Sequence, residues 1–394
     1  MVVNTIFYDS YQQEIVELRR HFHTFPELSM EEKATADYVE KYLQKLGLQT
    51  SRVGEYGVTA MVWAPENIQS LCKTVAIRAE MDAIAVNEEN NLPWKSQKDG
   101  VMHACGHDAI VASGLVLAKL CLKYREHLPV NVKFIFQPAE ENGKGTQLML
   151  DGGVMEQPKV DYFTMFHYVN DAPSGVELHR GASSAAIGSV KIKIKGQASH
   201  WCSYQEGADT IAGAGEVIRA ITKLNQSYQS SSPFILGIGT ISGGTAKNVV
   251  AGETVLEGSL RACRMKDYDC LRKLFLKDIE KIQEEFNLTI EVEIDQQPVP
   301  PIINDDELVD LGLAAGVKVW GEHCRLVTTE YLSGDSAAYY FDYAKGIFFI
   351  FTAKKSGEKA YPLHNGKFDI DETVLWKSVS VLHQFLLEFS DKKE

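Results

Sequence analysis

The stretch His103-Ala-Cys105-Gly-His107-Asp108 sets a thiol between two imidazoles and closes on a carboxylate. Cys105 and His107 stand two residues apart, a spacing that splits them on a helix but puts them on one side of an extended segment. Gly106 lets the backbone approach closely between them. Periodicity predicts a helix from about Asp108, and its N-terminal dipole would favour a Cys105 thiolate. Thiolate and imidazole together suit Zn²⁺ or Mn²⁺-type ions. The plainer alternative is a structural cysteine beside an Asp108 helix cap.

Glu140 and Glu141 are adjacent. In an extended stretch their carboxylates point in opposite directions, which suits two jobs: one ligates a metal, the other holds and deprotonates an attacking water. Two adjacent glutamates are more often a solvated acidic loop, but here a buried strand and Pro138 precede them. Other apolar runs also end in residues of this kind. The run 74–78 leads to Asp82, 130–136 to the glutamate pair, 162–166 to His167, and 347–352 to a loop holding His364. In open α/β sheets, sites lie beyond the carboxyl ends of the strands. One buried histidine is usually a satisfied core group; several strands converging on one edge point to a site.

The elements that must position these residues read as two textures. Residues 9–23 and 31–46 carry helical apolar spacing, broken by Pro26 and stopped by Gly47. Strands 58–64, 74–80, 130–137 and 162–167 then alternate with a helix over 108–124, which predicts a largely parallel sheet flanked by helices. Residues 186–297 change character. The order strand 189–195, helix 209–224, strands 234–242 and 254–262, helix 267–286, strand 288–294 is that of an α+β ferredoxin-like unit. Pro298-Val-Pro-Pro301 reads as a stiff exit linker, after which the α/β texture resumes through 394. The expected fold class is therefore α/β: one domain of 1–185 and 298–394 with a mostly parallel sheet flanked by helices, interrupted by an inserted α+β domain over 186–297.

Composition limits the function classes. A net charge of −13 with no dense Lys/Arg face argues against nucleic-acid binding. No apolar run is long enough for a bilayer, and the N-terminus has no secretory pattern. Seven irregularly spaced cysteines in 394 residues suggest a reducing, cytoplasmic setting rather than a disulfide framework.

The chain also resembles a known family: the amidohydrolase branch of the dinuclear aminoacylase/carboxypeptidase metallopeptidases, which includes hippurate hydrolase, auxin-conjugate hydrolases and N-acyl-amino-acid deacylases. The resemblance spans nearly the whole chain. It is carried by His21-Phe-His23 with Pro26-Glu-Leu28, Arg78-Ala-Glu-Met-Asp82-Ala, the segment around Cys105, and Phe136-Gln-Pro-Ala-Glu140-Glu141. It continues through Lys195-Gly with His200, Gly243-Gly-Thr-Ala-Lys-Asn248-Val, Leu256-Glu-Gly-Ser-Leu-Arg261 and His364-Asn-Gly-Lys-Phe-Asp369.

This resemblance implies that Cys105, His107, Glu141, His167 and His364 hold two divalent ions, Mn or Zn foremost and Co or Ni as alternatives, with Cys105 bridging. It implies Glu140 as general base on a metal-bound water, Asp82 as an orienting carboxylate, and His200 as an oxyanion donor, often across a dimer interface. Asn248 and Arg261 would clamp a substrate carboxylate. The expected substrate is a small N-acyl amino acid or peptide, and the expected assembly a homodimer or homotetramer through the inserted domain. Alternatives are a dipeptidase with Asp335 or Glu330 facing a free amino group, a non-catalytic metal- or metabolite-binding protein, and a cysteine-nucleophile hydrolase built on Cys105. The chain departs from the family at Ile110 (usually His), Glu80 (usually Asp), Trp201-Cys-Ser-Tyr-Gln-Glu206 (a Pro-containing stretch), Ala251 (Pro) and Gly334 (Glu).

Overall fold

The computed structural model describes residues 8–391, so the first part of the 1–24 segment, read above as lacking a secretory pattern, lies outside the described residues. The chain divides into two compact units. One comprises Met1–Gly181, Ile303–Thr328 and Tyr339–Glu394; the other comprises Ala182–Ile302 and Thr329–Ala338.

In the first unit the helices are α1 (Tyr8–Thr24), α2 (Lys33–Lys45), α3 (His107–Lys123) and α4 (Lys144–Asp151). The strands are β1 (Thr50–Val53), β2 (Gly57–Val62), β3 (Thr74–Glu80), β4 (Asn131–Gln137), β5 (Tyr162–Pro173) and β6 (Gly175–His179). Among the described residues they join two later strands, β11 (Cys324–Val327) and β12 (Lys345–Lys354), in an eight-stranded sheet of order β1-β2-β4-β3-β5-β12-β6-β11. The central pairings β4–β3, β3–β5 and β5–β12 are parallel, while β2–β4 and β12–β6 are antiparallel.

Every residue of β3 and β4 is buried, as expected for strands covered on both faces; each has an apolar stretch, 75–77 and 134–136, among polar residues such as Arg78 and Lys133 that are buried with it. Helix α3 is buried from His107 to Ala118, which its run of Ala, Val, Leu and Gly permits. Two later helices, α7 (Asp306–Trp320) and α8 (Leu375–Glu388), complete the unit.

The strand expected to stop at His167 continues to Pro173. It stays paired because β12 runs alongside it, with Ile350 opposite His167 and Lys354 opposite Pro173. His167 therefore projects from within a strand and not from its end.

The second unit has the expected element order: β7 (Ala186–Lys195), α5 (Thr210–Ser227), β8 (Phe234–Gly243), β9 (Glu253–Ala262), α6 (Met265–Phe286) and β10 (Thr289–Ile294). Its antiparallel sheet has the order β8-β9-β7-β10. Val190, Ile192 and Ile194 of β7 pack with Val217 and Ile221 of α5 and Phe275 and Ile279 of α6. The alternating lysines face the other way and meet carboxylates across the strands, Lys191 with Glu257, Lys193 with Glu253 and Lys195 with Glu291. The proline-rich 298–301 stretch is not a free linker: Val299 exchanges backbone hydrogen bonds with Ile187, both 3.0 Å, because its N–H and C=O remain available between the prolines. No helix among the described residues is long and apolar enough to cross a membrane.

Candidate metal centre

Strands β3 and β4 deliver their ends to the same place. Beyond Glu80, Met81 donates its N–H to the Gln137 carbonyl at 3.0 Å, which ties the two exits together. Asp82 follows, almost wholly buried. Its Oδ2 accepts Ser29 Oγ (2.7 Å) and the Glu141 N–H (3.0 Å), and its main-chain oxygen accepts His107 Nδ1–H (2.9 Å). Asp82 Oδ1 stands 3.3 Å from the same His107 nitrogen.

With its Nδ1 engaged by Asp82, His107 turns Nε2 toward the site, where a bound cation would displace its proton. His167 is oriented the same way. Its Nδ1–H donates to the Tyr168 carbonyl (2.9 Å), and Nε2 lies 3.6 Å from Cys105 Sγ. The two rings stand 5.7 Å apart at 82°. Gly106, at φ +84°, takes the left-handed turn between Cys105 and the start of α3, where a side chain would be strained.

His364 reaches the cluster on a loop anchored by its own N–H to the Ala104 carbonyl (2.8 Å), and its Nε2 is 3.4 Å from Glu141 Oε1. One donor atom from each residue falls within 4.8 Å of the others in three overlapping groups: Cys105, His107 and His167; Cys105, Glu141 and His364; His107, Glu140 and Glu141.

The electrostatics of the cluster are those of a cation site. Burial pulls the His107 pKa down, but Cys105 and Asp82 push it up well past its ordinary value. Burial raises Glu141, yet His364 and His107 bring it below the usual carboxylate range. Burial pushes the Cys105 thiol up, while the neighbouring His107 pulls it down. Glu141 Oε1 and Asp82 Oδ1 are buried with no hydrogen-bond partner. Buried carboxylate oxygens, a buried thiol and two imidazoles with Nε2 turned inward fit divalent metal ions.

Comparison with known proteins agrees with this chemistry. The profile of Peptidase family M20/M25/M40 matches residues 76–388. The chain belongs to this family. Thermostable carboxypeptidase 1 of Saccharolobus solfataricus is 32% identical, with 96% of each chain covered. N-acetyl-L-cysteine deacetylase of Bacillus subtilis is 29% identical over 99% of this chain and 92% of its own. A crystal structure from Bacillus subtilis, a dinuclear metal binding peptidase from the M20 family, superposes with a TM-score of 0.83 at 26% identity, covering 96% of this chain and 98% of that one. The protein is thus an M20-family metallohydrolase acting on amide or peptide bonds.

Behind this cluster lies a second layer of buried charge. Asp108 Oδ2 accepts from Arg19 Nε (3.1 Å) and His23 Nδ1 (2.8 Å), and His23 Nε2 is 3.2 Å from Glu88 Oε1. Arg19 also reaches Asp369 Oδ1 at 2.8 Å. Burial pulls the His23 pKa down, but its bonds to Asp108 and Glu88 push it up to about 9.

The remaining predicted site residues, His200, Asn248 and Arg261, belong to the second unit. Ser199–His200 and Val249–Val250 form a two-stranded ribbon, and Trp201 N–H donates to the Asn248 carbonyl (3.3 Å), so His200 and Asn248 are neighbours along the backbone. Arg261, on β9, donates Nη1–H to the Leu332 carbonyl at 2.9 Å.

The sequence reading had no role for residues 27–32. Glu27 Oε2 accepts the Thr35 N–H (2.8 Å) at the start of α2, and its main-chain oxygen accepts Ala83 N–H (2.8 Å). Ser29 and Glu32 each reach one strand exit. The Pro26-Glu-Leu28 motif marked this segment, but its partners lie far along the chain.

Two outcomes follow. Cys105→Ala should lower the metal-to-protein ratio as well as the rate; a ratio unchanged by elemental analysis would remove Cys105 from the ligand set. For His23, the folded pKa of about 9 lies above the ordinary value of about 6.5, so its contribution is complete below about pH 6.5 and is lost as pH rises through 9. That loss is about 3 kcal/mol. Urea unfolding at pH 6.5 and 9.5 should show a larger drop in stability for the native protein than for His23→Gln, and equal drops would refute the charged pairing.

Proposed function

We propose that the protein hydrolyses the amide bond of small N-acyl amino acids, releasing a carboxylic acid and a free amino acid. The observation that carries this reading is the division of labour in the glutamate pair. Glu141 is tied to Asp82 through its N–H and faces His364, whereas the Glu140 carboxylate lies in the same 4.8 Å group as the Glu141 and His107 donors. One carboxylate serves as ligand and its neighbour stands beside the reacting centre.

Two divalent ions, manganese or zinc by preference, held by Cys105, His107, Glu141, His167 and His364, would polarise the amide carbonyl and acidify the attacking water. Glu140 takes a proton from that water and returns it to the leaving nitrogen. Asp82 keeps His107 in the tautomer that offers Nε2. For His200 as oxyanion donor, and for Asn248 and Arg261 as a carboxylate clamp, the reading rests on the family resemblance.

An N-acyl substrate is favoured over a dipeptide because its blocked nitrogen needs no acidic partner. Asp335, a candidate for that partner, has Oδ1 engaged by the Ala337 N–H at 2.7 Å. One relative is named as a deacetylase of N-acetyl-L-cysteine, an N-acyl amino acid, and another as a carboxypeptidase. A cysteine nucleophile is disfavoured: the Cys105 thiol is buried and its pKa is driven upward, where a reactive cysteine is exposed and its pKa lowered. Self-association through the second unit is supported by its edge strand β8, where Ile235 and Ile241 are exposed, and by exposed Ile211 and Ile218 on α5.

The deciding experiment strips the protein with chelator, restores Mn²⁺, Zn²⁺, Co²⁺ or Ni²⁺, and measures amine released from N-acyl amino acids and dipeptides. Metal-restored release from N-acyl substrates is expected; folded protein inert with every metal would overturn the proposal. Glu140→Gln should keep its metal and lose about 10²- to 10⁴-fold in kcat. Sedimentation should report a dimer or tetramer, and a clean monomer would dismiss the association.

A further inference from the structure

The turn that carries Glu140 is gripped at successive backbone groups. Ala139 sits at φ +51°, a left-handed conformation uncommon for a residue with a side chain, and it is held there from both sides. Its N–H donates to Glu32 Oε1 at 2.6 Å, and its carbonyl accepts the Gly145 N–H at 3.0 Å. The Glu140 carbonyl accepts Gly143 N–H at 2.9 Å, and Glu141 N–H goes to Asp82. Gly145 has no room for a side chain, since a Cβ there would fall 1.6 Å from the Pro138 oxygen.

Among these contacts, the one from Glu32 has no local reason to exist. Glu32 is the N-cap residue of α2, where an acidic side chain ordinarily accepts from the first N–H groups of its own helix. It makes no such bond. Glu27 does that work from outside, taking Ala34 N–H at 3.2 Å and Thr35 N–H at 2.8 Å, and leaves Glu32 free to reach across 107 positions to Ala139. The Glu32 carboxylate is fully buried, and its second oxygen, Oε2, has no hydrogen-bond partner. A buried carboxylate is retained here at a desolvation cost that a helix cap would not require.

We infer that Glu32 is a positioning residue for Glu140: its carboxylate clamps the Ala139 N–H and so fixes the strained turn that aims Glu140 at the reacting centre. This rests on the reading of Glu140 as the base. The clamp needs an acceptor oxygen and not a charge. Burial pushes the Glu32 pKa up to about 7, and a protonated carboxyl keeps its carbonyl oxygen for Ala139. The neutral amide of glutamine should therefore substitute for it, and an apolar side chain of similar volume should not.

The test compares Glu32→Met and Glu32→Gln with the native enzyme in kcat, KM, metal content and hydrogen–deuterium exchange of the peptide spanning 138–145. In Glu32→Met, kcat should fall up to about 100-fold, the scale of a misplaced catalytic group. KM and metal content should hold within about twofold, and the 138–145 amides should exchange faster. In Glu32→Gln all of these should stay near native values. Native kcat and exchange in Glu32→Met, a glutamine variant as impaired as the methionine one, or a rate loss that tracks metal loss would each overturn the inference. Should Glu32→Met fail to fold, Glu32→Ala supplies the same contrast with glutamine. Exchange is independent of turnover, so an active Glu140→Gln would sink the base assignment while the exchange data still show whether Glu32 holds the turn.

Discussion

The carboxylate of Asp82 is the point to which the rest of the first unit's site is referred. It is buried where β3 exits, and burial alone would drive it toward the neutral acid. The His107 imidazole, the Ser29 hydroxyl and the Glu141 N–H hold it instead well below the usual carboxylate range. Each of those partners comes from a different part of the chain: the first residue of α3, the segment before α2, and the turn after β4. One ionised group thereby fixes the relative placement of three elements, and two of its partners are donor residues or their immediate support. A neutral isostere at this position would leave His107 without its orienting charge and would weaken the bond to Glu141 N–H.

The layer behind Asp82 shows why this arrangement needs an outer frame. Asp108 is fully buried one residue beyond His107, and a buried carboxylate of this kind survives only with partners. Arg19 and His23, both on α1, provide them, and Arg19 passes the constraint on to Asp369, next to Phe368, whose ring lies about 3.7 Å from where a Gly106 side chain would sit. Such a network is poor evidence for net stability, since desolvating the charges offsets much of their attraction. Its effect is register: α1 cannot slide against α3 without stranding a charge.

Much of this was legible in the sequence, and the limits have a physical pattern. The fully buried strands β3 and β4 announce themselves by their apolar stretches, and the alternating lysines of β7 separate its two faces. The candidate ligands could be proposed because a thiol set between two imidazoles, and a glutamate pair directly after a strand, are uncommon patterns. What could not be read was anything depending on a partner far along the chain. The extension of β5 beyond His167 depends on β12, and the tie of Val299 to Ile187 hides within a stretch that looks like a linker. The burial of Cys105 was hidden for a related reason: a helix dipole can be inferred from local sequence, but depth of burial is a property of the whole fold. Glu32 and Ser29 looked like ordinary polar residues near a helix start.

The departures from the family pattern bear on whether the site still does chemistry. Ile110, where a histidine is usual, is fully buried in the apolar core with Val111 and Leu115, so packing takes the place of the polar group. Glu80, in place of aspartate, pairs with Arg78 in complete burial. Arg78 Nε in turn donates to Gln137 Oε1 at 2.8 Å, as does the Tyr340 hydroxyl at 3.0 Å. Gln137 is the last residue of β4, and the turn bearing Glu140 begins directly after it. Gly334 has its own explanation, since a Cβ there would lie 2.5 Å from Ile187 Cδ1. A protein that only bound metal would have no use for a strained turn secured by a distant carboxylate, or for a buried ion pair bracing the strand end before it. Both supports converge on the turn that carries Glu140, the glutamate proposed above as the base.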